Sequence, residues 1–130
     1  HKALEGDEST KRKMISKGLQ RIMQRIMSTV PKAHVVVTNP THYAVALRYE
    51  RDSMVAPIVV AKGKGFLALR IREVAKQNGV PVLERKALAR ALYSSVEIGA
   101  EIPHALFRAV AEVLAYVYKL KNPHVNYAAK

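Results

Sequence analysis

The sequence predicts an α/β fold: a small mixed four-stranded sheet packed by helices and preceded by a basic N-terminal helix. Three observations predict it. Residues 34–83 carry four short β-branched or apolar runs bounded by turn residues. Helix-period segments both precede and follow these runs. The chain has 130 residues, one ordinary domain's worth, and its 49% hydrophobic content is enough to bury a core.

The elements follow in order. Residues 1–32 hold eight Lys/Arg against three acids, within a chain of net charge +12. Ser9 or Thr10 offers a cap for a helix running to Thr29 and stopped by Pro31. Ile15, Leu19, Ile22 and Ile26 recur at helical steps, widened by Met14, Met23 and Met27, with basic residues over much of the rest. Such a helix is either a solvated amphipathic face or an arm lying near anionic lipid. His34–Thr38 is an unbroken β-branched run, suited to a strand buried on both faces. Tyr43–Tyr49 is a second strand, joined to the first by Asn39-Pro40-Thr41-His42, too short a link for anything but a tight turn. Glu50-Arg51-Asp52-Ser53 is a charged loop, and Ile58–Ala61 is a third strand. Phe66–Gln77 has helical spacing and stops at Asn78-Gly79. Val80–Leu83 is a fourth strand, with Pro81 marking its start or an edge position. Helices near Lys86–Ser95 and from about Pro103 to Leu120 complete the chain. Strand three, its helix and strand four are expected to form a right-handed parallel βαβ unit.

Composition excludes several chemistries. There is no cysteine, hence no disulfide scaffold, thiolate nucleophile or Cys-ligated metal. The polar, charged first residues do not read as a signal peptide, and no run of 18 apolar residues is present. The five histidines, His1, His34, His42, His104 and His124, lack metal-ligand spacing, so they are expected to be structural or incidental. No acid pair or nucleophile elbow appears. Gly63-Lys64-Gly65-Phe66-Leu67-Ala68, with Glu84 some 20 residues on, outlines a dinucleotide fingerprint. One βαβ unit does not supply two mononucleotide halves, so a strand-to-helix turn that uses glycine for backbone freedom is expected instead. Tyr43 and Tyr49 in a strand, and Tyr116 and Tyr118 in an apolar helix, are expected to pack in the core. They are not interleaved with basic residues, so nucleic acid is not an expected partner. No cofactor is expected.

The remaining motif is Asn39-Pro40-Thr41-His42. Asparagine ordinarily decays when the next backbone nitrogen attacks its side-chain amide, but Pro40 has no N–H to do so. The reverse attack remains: the Asn39 side-chain nitrogen adds to Asn39's own carbonyl, a succinimide closes, and the Pro40 nitrogen leaves. A turn that holds these atoms together makes the step unimolecular. His42 is placed to assist as acid or base, and Thr41 to orient the turn. The same dipeptide recurs at Asn122-Pro123-His124. Dipeptide chemistry alone therefore decides nothing, and the strand-anchored setting must.

Val35-Val36-Val37-Thr38-Asn39-Pro40-Thr41-His42-Tyr43-Ala44-Val45-Ala46-Leu47 resembles the cleavage segment of the type III export switch family (FlhB/YscU type). Val60–Gly65, Ala68–Glu73, Leu88–Tyr93 and Ala109–Tyr118 extend the resemblance, the last toward the flagellar branch. It covers about residues 8 to 121, departing at Arg85-Lys86-Ala87, where many members carry prolines. The resemblance implies residues 1–32 as a basic linker from membrane spans absent here and residues 33–130 as a self-cleaving domain. It implies a place on the cytoplasmic face of the bacterial inner membrane and single-turnover scission between Asn39 and Pro40, with no repeated catalysis. It implies a switch of export from rod and hook to filament proteins. The implied partners are export substrates, a hook-length control protein and other export-gate components, with the domain a monomer of two associated fragments. The competing reading is an uncut basic module that binds nucleic acid or an acidic protein.

Overall fold

The computed structural model describes residues 2–40 and 42–124, with side chains from Ser16 onward. Its elements are α1 (Lys2–Thr29), β1 (Val35–Asn39), β2 (Tyr43–Arg48), β3 (Ile58–Lys64), α2 (Phe66–Gln77), β4 (Val82–Glu84), α3 (Lys86–Ser95) and α4 (Phe107–Lys121). Short 3₁₀ turns at Val30–Lys32 and His104–Leu106 follow α1 and precede α4. The expected mixed α/β fold is observed.

The sheet order is β3-β2-β1-β4. β2 runs antiparallel to both β1 and β3, while β4 runs parallel to β1. β3 and β4 therefore point the same way, as expected of a βαβ unit, but they lie on opposite edges with two strands between them. β4 pairs beside β1 because the antiparallel hairpin already occupies the other edge of β1. Pro81 immediately precedes this edge strand, and its carbonyl accepts the Val36 N–H at 2.8 Å. A missing proline N–H costs nothing at that position.

The run Val35-Val36-Val37 is fully buried on both faces. Val35 and Val37, with Val45, Leu47 and Val59, meet Leu88, Ala89 and Leu92 of α3 and Val110, Val113 and Val117 of α4. Val36 and the small residues Ala44, Ala46 and Ala61 face Ala68, Ile71, Val74 and Ala75 of α2. Alanines on that side let α2 sit close to the sheet. The register of β2 against β3 slips between Ala46 and Leu47, so that Ala46 faces Ala61 while Leu47 faces Val59. Val60 is the extra residue, and this bulge lets Val59 and Ala61 serve opposite layers despite their two-residue spacing.

α1 begins at Lys2, so Ser9 and Thr10 lie inside the helix instead of capping it. The good helix formers Lys2-Ala3-Leu4-Glu5 carry the helical path past them. Its last turn and the 3₁₀ turn that follows join the core, where Ile26 and Val30 are buried beside α2, while Leu19, Ile22 and Met27 remain exposed. No helix of the described residues is long and apolar enough to cross a membrane.

Two other expectations need correction. Tyr116 and Tyr118 are about half exposed instead of packed in the core, because α4 presents Val110, Val113 and Val117 inward and leaves the tyrosines on its outer side. The Arg85 guanidinium lies 5.7 Å from the Tyr116 ring centroid. The third strand also runs beyond Ala61 to Lys64. Its added lysines do not need burial: Lys64 is exposed, and the Lys62 ammonium donates to the Tyr93 carbonyl at 2.9 Å.

Candidate functional site

The four-residue motif closes the β1–β2 hairpin. Antiparallel pairing continues through Thr38↔Ala44 to Asn39↔Tyr43, so both strand ends are fixed up to the turn itself. On the other side of β1, the Arg85 N–H donates to the Thr38 carbonyl at 2.9 Å, and the buried Thr38 hydroxyl donates to the Leu83 carbonyl at 3.4 Å. The peptide entering Asn39 is thereby gripped from both neighbouring strands. Asn39 and Pro40 are half-buried and His42 is exposed; Thr41 lies outside the described residues.

The His42 N–H donates to the Asn39 carbonyl oxygen at 2.9 Å. This carbonyl is the one that cyclisation would attack. A donor already placed on its oxygen polarises the bond and would hold the negative charge that develops there. The His42 carbonyl in turn accepts the Gly65 N–H at 3.1 Å. The imidazole lies 6.0 Å, centroid to centroid, from the Tyr43 ring. Tyr43 packs on Tyr93 at 4.7 Å, and the Lys62 ammonium stands 5.0 Å from the Tyr93 ring centroid. Asn39, Pro40 and His42 are therefore brought together as the sequence led one to expect. The tie to Gly65 was not anticipated. Its signal was a glycine at the end of β3, whose Lys64 pairs with Tyr43 beside the turn.

The glycine run has a structural explanation. A Cβ on Gly63 would stand 2.7 Å from the Leu67 Cβ, so Gly63 permits close strand–helix packing. Gly65 has a φ of 58° at the start of α2, a conformation that favours glycine. The glycine turn ends β3 and Glu84 ends β4, on opposite edges of the sheet. The adjacent-strand geometry of a dinucleotide site is thus not formed.

The histidines have separate surroundings. His34 Nδ1 accepts the Tyr49 N–H at 3.0 Å, tying the end of β2 back to the start of β1. His104 stacks on Phe107 at 4.5 Å. Among the described residues, no group of three His, Asp or Glu side chains is arranged to hold a metal.

With this geometry in view, comparison with known proteins is decisive. The profile described as the FlhB HrpN YscU SpaS Family matches residues 1–117. The chain belongs to that family. It is 54% identical over 121 residues to the flagellar biosynthetic protein FlhB of Salmonella typhimurium. The match takes in 93% of this chain but 32% of that protein, so the chain spans about a third of its relative's length. The crystal structure of the cytoplasmic domain of FlhB from Shewanella putrefaciens superposes with a TM-score of 0.74 at 43% identity, covering 78% of each chain. The EscU C-terminal domain, solved with an asparagine changed to alanine, gives 0.69 at 33% identity, covering 71% of this chain and 92% of that one. Further EscU structures carry alanine at the proline immediately after that asparagine and at a histidine three positions beyond it. Asn39, Pro40 and His42 have the same spacing.

Proposed function

We propose that this chain is the self-cleaving cytoplasmic portion of a flagellar type III export component, cut once between Asn39 and Pro40. One observation carries the reading: a strand-anchored Asn-Pro bond whose carbonyl oxygen already accepts the His42 N–H. The EscU replacements, which fall on the same Asn, Pro and His spacing, support it.

The Asn39 Nδ2 adds to the Asn39 carbonyl carbon and loses a proton. The carbonyl oxygen takes the charge against the His42 N–H. Collapse expels the Pro40 nitrogen, which gains a proton and leaves as a secondary amine. Asn39 remains as a C-terminal succinimide, which water opens. Thr41 orients the turn, and the exposed His42 imidazole carries the proton between the two nitrogens. Pinning both ends of the turn holds the amide near the carbonyl, which supplies the acceleration. The event occurs once per chain and needs no cofactor.

Within the whole protein, residues 1–32 link this domain to membrane spans on the cytoplasmic face of the bacterial inner membrane, and residues 33–130 form the cleaving domain. The cut changes the surface around Pro40–His42 and takes part in switching export from rod and hook proteins to filament proteins. Export substrates, a hook-length control protein and other gate components are its partners, and nucleic acid is not. The domain persists as a monomer of two associated fragments.

Intact-mass spectrometry of newly synthesised chains tests the scission directly. Fragments 1–39 and 40–130 are expected, and a chain that stays whole would overturn the reading. In cells, the full-length protein carrying Asn39→Ala is expected to export hook subunits but not filament subunits. Normal filament assembly by an uncut protein would remove the switching role.

A further inference from the structure

Three backbone hydrogen bonds in series join α2 to the Asn39 carbonyl. The Leu69 N–H donates to the Gly65 carbonyl at 3.2 Å, within the first turn of α2. The Gly65 N–H donates to the His42 carbonyl at 3.1 Å, and the His42 N–H donates to the Asn39 carbonyl at 2.9 Å. Both backbone groups of His42 are thus engaged, one by an anchor on the helix and one by the scissile carbonyl. The anchor depends on an unusual conformation: Gly65 has φ 58° and ψ −124°. An L-residue is strained there whatever space surrounds it. Space is in fact free, since a Cβ at Gly65 would meet nothing within 4 Å. The requirement for glycine therefore comes from the direction in which its peptide must point.

We infer that Gly65 is a positioning residue for the scission: its N–H fixes the His42 backbone so that the His42 amide stays on the Asn39 carbonyl oxygen. This rests on the self-cleavage reading and adds to it a residue 26 positions away in sequence. The loop between Asn39 and Tyr43 has three residues, and its last member, His42, is exposed. The Gly65 N–H fixes the His42 carbonyl from outside the hairpin, while the His42 N–H is directed at the Asn39 carbonyl. α2 is packed on the sheet through Ile71, Val74 and Ala75, so it offers a rigid support. A donor held in place before charge develops needs no reorganisation when the tetrahedral intermediate forms.

The test uses the full 130-residue chain made by cell-free synthesis, with scission followed by intact mass. One variant carries glycolic acid at position 65, which replaces the amide by an ester, removes the N–H and keeps the conformational freedom. A second pair is Gly65→Ala in its L and D forms; the D form accepts a positive φ. The ester is expected to slow scission about tenfold, with faster hydrogen exchange at the His42 amide and unchanged protection in β1 and β2. The L-Ala chain should be slowed at least as much, and the D-Ala chain should cut within about twofold of the parent, since its backbone can keep the native direction. An ester chain that keeps strand protection and cuts at the parental rate would overturn the inference. So would a D-Ala chain as slow as its L counterpart, and that pair decides the matter independently of the ester. A parent chain that never cuts overturns the underlying reading as well, so the two failures are distinguishable.

Discussion

The chain contains two Asn-Pro bonds, and the structure gives them opposite surroundings. At Asn122 the dipeptide follows α4: the backbone N–H reaches the Tyr118 carbonyl at 3.0 Å, and the side-chain Nδ2 donates to the same oxygen at 2.9 Å. The nitrogen that would have to attack is spent on capping the helix. At Asn39 the dipeptide ends a strand, where no row of helical carbonyls stands ready for the amide. There the hydrogen bond falls on the carbonyl oxygen, the electrophile's side of the reaction. One setting occupies the amide nitrogen; the other places a donor on the carbonyl that the proposed reaction would attack. On the proposed reading, the Asn-Pro dipeptide supplies only the possibility of scission, and the element it terminates decides the outcome.

The strongest way to break this comparison is Asn39→Ala, which removes the nucleophile and should abolish scission altogether. Persisting fragments in an intact-mass spectrum would disprove cyclisation. Next in size is Pro40→Ala. It releases the fixed proline φ and restores a backbone N–H behind Asn39, so scission should slow by about tenfold and deamidation of Asn39 should appear. Peptide mapping distinguishes the two products. His42→Ala keeps the backbone donor and loses the imidazole that would carry the proton, so a slower cut is expected. A rate unchanged from the parent would assign the whole effect to the turn. Inserting a threonine between Pro123 and His124 sharpens the contrast further, because it recreates the four-residue motif without strands. That second site should remain whole, and any cleavage there would show that the motif suffices by itself. The smallest expected effect is on assembly: after scission, fragments 1–39 and 40–130 should still elute together in native size-exclusion chromatography. Val35, Val36 and Val37 are fully buried, each worth about 1.5–3 kcal/mol. Separate elution would mean that the hairpin link had been needed to keep β1 in place.

Much of this was legible in the sequence because it depends on local pattern. The all-apolar run of Val35–Val37 announced a strand covered on both sides, and α2 and α3 begin and end at the residues their spacing indicated. The turn was legible because so short a link, three residues in the structure, separates the two strands. What was not legible depends on neighbours distant in the chain. Nothing in Val82–Glu84 says that it will lie beside β1 instead of beside β3, since the crossover through α2 is compatible with either. The exposure of Tyr116 and Tyr118 follows from which stripe of α4 meets the sheet, and both stripes are apolar enough to compete. The bond from Gly65 to His42 requires the pairing of β2 with β3 before it can be seen. Ser9 and Thr10 misled for a simpler reason: a good capping residue starts a helix only if what precedes it does not continue one.

The position of β1, between an antiparallel and a parallel neighbour, has a mechanical consequence. In an intact chain, tension arriving along α1 passes through β1 and around the hairpin along covalent bonds. With the bond after Asn39 opened as proposed, the same pull would end at β1 and be borne sideways by its two ladders. The load then acts on both ladders in shear, and the life of the joint under force is set by an unfolding rate instead of by bond strength. A hairpin severed as proposed would be a mechanical fuse, giving way only when the leading helix is pulled hard enough to draw a buried strand out of the sheet.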